Sequence, residues 1–60
     1  MIPVIGKTYL LDGLLVLCTM VCQNDGVLTV GLHVDGCEKI FNMSEDGDRL
    51  FIENNLKNIE

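Results

Sequence analysis

Four Asp-Gly dipeptides, Asp12-Gly13, Asp25-Gly26, Asp35-Gly36 and Asp46-Gly47, divide this chain into five short segments of similar length. Asp tolerates a left-handed backbone and caps its own turn, and Gly reaches positive φ at no steric cost, so each dipeptide signals a reverse turn. Three of the segments are rich in Val, Leu, Ile, Thr and Tyr or Phe, the residues of β-strands. The sequence therefore predicts an all-β fold, a five-stranded antiparallel meander closed as a small barrel or arranged as a two-layer sheet. Residues 1–60 form its single domain.

Residues 6–11 read as the first strand, with Pro3 fixing an extended entry at a sheet edge. In the second, residues 14–22, strict alternation puts Leu14, Val16, Cys18, Met20 and Cys22 on one face and Leu15, Leu17, Thr19 and Val21 on the other. Both faces are apolar, and such a strand needs cover on both sides. Residues 27–34 carry the clearest two-residue period, which assigns Leu28, Val30, Leu32 and Val34 to the core and leaves Thr29, Gly31 and His33 opposite. A glycine in mid-strand points to a bulge, a bend or the close approach of another backbone.

The chain returns through Asp35-Gly36 as a fourth strand, residues 37–43. Beyond Met43 two readings compete. Ser44 could cap a helix with Ile52, Leu56 and Ile59 as its stripe, but Gly47 costs a helix about 1 kcal/mol. The expectation is a fifth strand over residues 49–53, followed by at most two helical turns over residues 54–60.

Sixty residues lie near the lower size limit for independent folding, yet 48% of them are hydrophobic, so part of that apolar surface is expected to be covered by another chain in a homo-oligomer. Four Lys or Arg against nine Asp or Glu give a net charge of −5, which makes nucleic-acid binding unfavourable. Three cysteines cannot all pair with one another, so a reducing cytoplasmic setting is expected. No signal peptide or membrane-spanning stretch is apparent, and a soluble protein is expected.

Cys18, Cys22, His33 and Cys37 have the ligand types of a structural zinc site. Cys18 and Cys22 stand four residues apart on one strand, roughly 13 Å at the usual rise, too far to share a metal without a bulge. The expectation is no metal and no cofactor, with the cysteines acting as small hydrophobes. His33 and Cys37 could form a minimal thiol and base pair, but no third orienting group or oxyanion donor is recognisable, so an exposed or interface histidine and no enzyme activity are expected. Glu45, Asp46 and Asp48 lack the later ligands of a calcium loop and read as a solvated turn.

Ile5-Gly6-Lys7-Thr8, the run Val27-Leu28-Thr29-Val30-Gly31-Leu32 and the length of 60 resemble the carbon-storage-regulator family over about half of the chain. The resemblance implies interlaced five-stranded chains in a dimer that binds RNA. The family's first strand ends in basic residues and its last carries an RNA-contacting arginine, where this chain has Ile2-Pro3-Val4 and Asn42-Met43-Ser44. An RNA-binding regulator and a zinc-stabilised module are accordingly lower alternatives.

The leading expectation is a non-enzymatic acidic binding module, a homo-oligomeric adaptor or inhibitor of a protein partner. A chain of this size suits an accessory protein of a phage or mobile element. The expected contact residues are Thr29, Gly31, His33, Glu38, Lys39 and Phe41 on the third and fourth strands. The alternative is small-molecule capture in a pocket between subunits, with Tyr9, His33 and Lys39 as polar contacts.

Overall fold

Three of the four Asp-Gly pairs build tight hairpins in the computed structural model, which describes residues 1–59. Asp12, Asp25 and Asp35 have φ of 51°, 52° and 51°, and their glycines follow at 86°, 79° and 81°. Positive φ at both central residues defines a type I′ turn, whose twist matches that of the strands it joins. The pairs link β1 (Thr8–Leu11), β2 (Leu14–Asn24), β3 (Val27–Val34) and β4 (Cys37–Asn42). β2 is two residues longer than its hydrophobic run, because Gln23 and Asn24 still pair with Leu28 and Val27.

The fourth Asp-Gly pair opens a helix instead. α1 (Asp46–Asn55) takes up the segment expected as a strand, and β5 (Leu56–Asn58) lies where helical turns were expected. The two elements are thus the reverse of the sequence expectation. Asp46 and Asp48 occupy the first helical turn, where negative charge is favourable, and Arg49 pairs with Asp46 at 2.9 Å and Glu53 at 3.6 Å. Gly47 sits in that same first turn, and its cost is offset by Ile52, which the helix buries completely. Complete burial of a side chain of that size contributes about 1.5–3 kcal/mol. Glu45, not Ser44, is the N-cap residue. The Ser44 hydroxyl accepts from the Leu28 N–H at 3.0 Å and donates to the Gly26 carbonyl at 3.3 Å, tying the helix entry to the β2–β3 turn.

All strand pairs are antiparallel, in the order β4-β3-β2-β1-β5. β4 and β5 are the two edges, so the sheet is open and the barrel alternative does not hold. The last step leaves the meander, since α1 carries the chain across the sheet to set β5 beside β1. One face of the sheet is covered by the helix. Tyr9, Leu11, Val16, Cys18, Val30, Leu32 and Val34 on this inner face pack with Met43, Ile52 and Leu56.

The simple alternation expected for β2 is broken by a bulge. Cys18 pairs with Leu32, and the next partnered residue, Met20, pairs with Gly31, which leaves Thr19 as the extra residue. The side-chain phase therefore reverses at Thr19. Val16 and Cys18 face inward before it, and Val21 packs against the core after it. Met20 and Cys22, expected on the face of Cys18, instead share the outer face with Leu15 and Leu17.

Candidate binding surface

Among the described residues, no element forms a second layer on the outer face. Across the strands it carries Glu38 and Ile40 on β4, Thr29, Gly31 and His33 on β3, Leu15, Leu17, Met20 and Cys22 on β2, Leu10 on β1 and Lys57 on β5. Leu15 is 65% exposed, Ile40 55% and Leu17 40%. A sheet normally buries both faces or gives one to polar residues, and the middle of this one does neither. Lys57 stands at one edge, Glu38 and His33 toward the other, and the exposed turn residues Asp12, Asp25 and Asp35 lie at the strand ends.

Gly31 is a buried point on this face. A Cβ added there would lie 2.7 Å from a Glu38 carboxylate oxygen, 3.1 Å from Met20 Cβ and 3.3 Å from Ile40 Cδ1. The space expected to admit another chain or a ring is therefore filled by the protein's own side chains. Thr19, at the bulge, donates its hydroxyl to Glu38 Oε2 and stands 3.4 Å from the Gly31 carbonyl oxygen, closing the patch further.

The sheet divides the six expected contact residues. Thr29, Gly31, His33 and Glu38 share the outer face, whereas Lys39 and Phe41, opposite Leu32 and Val30, project on the inner side. Phe41 stacks on Phe51 of α1, with ring centroids 5.8 Å apart and planes inclined by 8°. These rings and Lys39 line an open groove of about 590 Å³ between the β1–β2 turn and the start of α1, together with Leu14, Val34 and Asp48. Of the alternative trio, only Lys39 lies in this groove. Tyr9 is buried, its hydroxyl accepting from the Val4 N–H at 2.8 Å and its ring lying under the Lys7 ammonium at 5.4 Å, and His33 is across the sheet.

The four metal-type residues do not converge either. Cys18 is in the core and Cys37 is exposed at the inner side of the β3–β4 hairpin, while Cys22 and His33 belong to the outer face. Burial pushes the Cys18 thiol above its ordinary pKa, an effect partly offset by its contact with the Met20 carbonyl at 3.7 Å. Because His33 and Cys37 project from opposite faces, the sheet separates the one thiol and base pair the sequence offered.

Leu10, Leu15, Leu17, Met20 and Ile40 were not among the expected contacts, although the two apolar faces of β2 were the signal that could have found Leu15, Leu17 and Met20. No family model, curated protein or solved structure matches this chain. The resemblance to the carbon-storage-regulator family thus has no matching family model beside it.

Proposed function

We propose that the protein is a non-enzymatic, acidic protein-binding module, an adaptor or inhibitor that docks through the outer face of its sheet. The observation that carries this reading is the exposure of Leu15 and Leu17 in the middle, and of Ile40 at the β4 edge, of a face that no other element among the described residues covers. Contiguous apolar surface of this kind, rimmed by polar groups, is characteristic of interaction sites. The net charge of −5 favours a protein partner over a phosphate backbone. The projection of His33 and Cys37 from opposite faces supports the non-enzymatic reading.

The test places a photo-crosslinking residue at position 15 in the natural cell, with a second at the exposed helix position 50 as control. A protein captured from position 15 alone is purified and titrated against the wild type and Leu17→Glu. Binding that disappears with Leu17→Glu supports the reading, and equal binding by the two proteins rejects it.

A second reading, small-molecule capture, is favoured by the groove beside Lys39. Its volume of about 590 Å³ is within the range of ligand sites, and its stacked Phe41 and Phe51 would hold an apolar body while Lys39 holds an anionic end.

A further inference from the structure

We propose that the occupant of the outer face is a second copy of this chain, packed face to face about a two-fold axis that runs between the sheets and parallel to the strands. The inference rests on the outer face being the docking surface and adds which chain covers it. Two observations choose this occupant and this axis.

The first is the charge arrangement on the face itself. Glu38 stands on the β4 edge and Lys57 on the β5 edge, at opposite ends of the order β4-β3-β2-β1-β5. A two-fold axis along the strands lays the β4 edge of each copy over the β5 edge of the other, which sets Glu38 against Lys57 of the second copy, twice. The registers make this reachable. Glu38 is level with Leu17 through His33, and Lys57 is level with Leu15 through Leu10. The offset along the strands is two residues, about 7 Å, which two long side chains and the usual inclination of about 30° between packed sheets can span once the Glu38 carboxylate exchanges its hydrogen bond from Thr19 for the ion pair. An axis across the strands would instead lay β4 on β4 and β5 on β5, placing like charges over one another.

The second is area. Four interstrand steps make the face about 19 Å wide, and five residues make it about 17 Å long. Two such faces have a projected area of about 650 Å² in total, and the relief of their side chains raises the accessible surface they would bury toward the lower limit of about 1,000 Å² for a specific interface. Leu15 and Leu17 would form its apolar centre, with Ile40 and the Glu38 and Lys57 pairs toward its rim. An interface at the low end of the size range, with exposed ion pairs at its rim, should give a dimer that dissociates on dilution, with Kd on the order of tens of micromolar.

The experiment is sedimentation velocity on the wild type from about 1 µM to about 1 mM, a range that brackets the expected Kd. A monomer–dimer equilibrium is expected. Leu17→Glu and Leu15→Lys, at positions already exposed in the single chain, should each remain monomeric throughout with unchanged circular dichroism. Glu38→Lys and Lys57→Glu should each weaken the dimer by about three- to tenfold, since each breaks both symmetric pairs. The double variant should recover wild-type assembly. A wild type that stays monomeric, a dimer that survives both leucine substitutions, or a double variant no better than the singles each overturns the proposal. The two readings fail separately: a monomeric wild type that still binds another protein through position 15 removes only the dimer, and a charge-dependent dimer that captures no other protein removes only the adaptor.

Discussion

The Asp48 carboxylate accepts a hydrogen bond at 2.8 Å from the backbone N–H of Asn42, so the first turn of α1 is fastened to the open edge of β4. That N–H points away from β3 and would otherwise be unpaired. The Asn42 carbonyl is used as well, accepting from the Glu45 N–H at 3.1 Å. An exposed strand edge is a template for unwanted pairing, and here its last residue is closed by the helix that follows. Asp48→Ala should cost about 1–2 kcal/mol, since it removes a charged acceptor from a half-buried donor. Urea titration followed by circular dichroism measures it, and an unchanged midpoint would mean that water replaces the carboxylate.

Gly31→Val should destabilise the fold by about 1–3 kcal/mol, the usual range for overpacking. The Glu38 carboxylate can swing aside, but Met20 Cβ at 3.1 Å is fixed to the backbone of the neighbouring strand. Gly31→Ala should be milder and should release Glu38 from Thr19. Denaturation curves for the two variants give the order, which would be reversed if the bulge at Thr19 relaxed to make room.

Ile52 is the residue that α1 buries in the core, and Ile52→Ala should cost about 2–5 kcal/mol. A core of this size seldom supplies more than about 3–5 kcal/mol, so the variant should be largely unfolded at room temperature. Leu50→Ala, on the exposed side of the same helix, should change stability by no more than about 0.5 kcal/mol. Thermal melts of the pair test whether the helix is held by one face.

The cysteines should react in two classes. Cys22 and Cys37 are exposed, whereas Cys18 is buried and loss of solvation raises its pKa above the ordinary thiol value. A thiol reagent at pH 8 should consume Cys22 and Cys37 quickly and Cys18 only in denaturant. The sign of the linkage follows from the direction of the shift. The folded protein holds the Cys18 proton more tightly than the unfolded chain, so this contribution to stability is complete below the unfolded value and is lost as pH rises through the folded one. Mass spectrometry of time-resolved alkylation checks the first statement, and chemical denaturation on either side of pH 9 checks the second.

Much of the fold was legible where chemistry is local. The turns at Asp12-Gly13, Asp25-Gly26 and Asp35-Gly36 follow from two residues each, and the inward set Val30, Leu32 and Val34 follows from alternation. The bulge at Thr19 was not legible. Both phases of β2 are apolar, so alternation carries no information about where the phase reverses. Asp46-Gly47 matches the three turn dipeptides in sequence, but Asp48 and Arg49 behind it supply helix contacts that a strand would leave unused. The candidate surface was half legible. His33 and Glu38 were placed on it, but Lys39 and Phe41 were drawn in by their nearness in sequence, although neighbours on a strand face opposite ways.

The order of strands also sets the order of folding events. β1–β2, β2–β3 and β3–β4 are each joined by a two-residue turn, so their ladders can zip from closed ends with almost no loop entropy. The β1–β5 ladder is different, because it pairs Tyr9 with Asn58 and must wait until nearly the whole chain has been gathered. Folding should therefore be fast for a β protein in its three hairpins and be gated by the docking of α1, which delivers β5. Substitutions in the three turns should alter the refolding rate, while those in β5 should act chiefly on the unfolding rate.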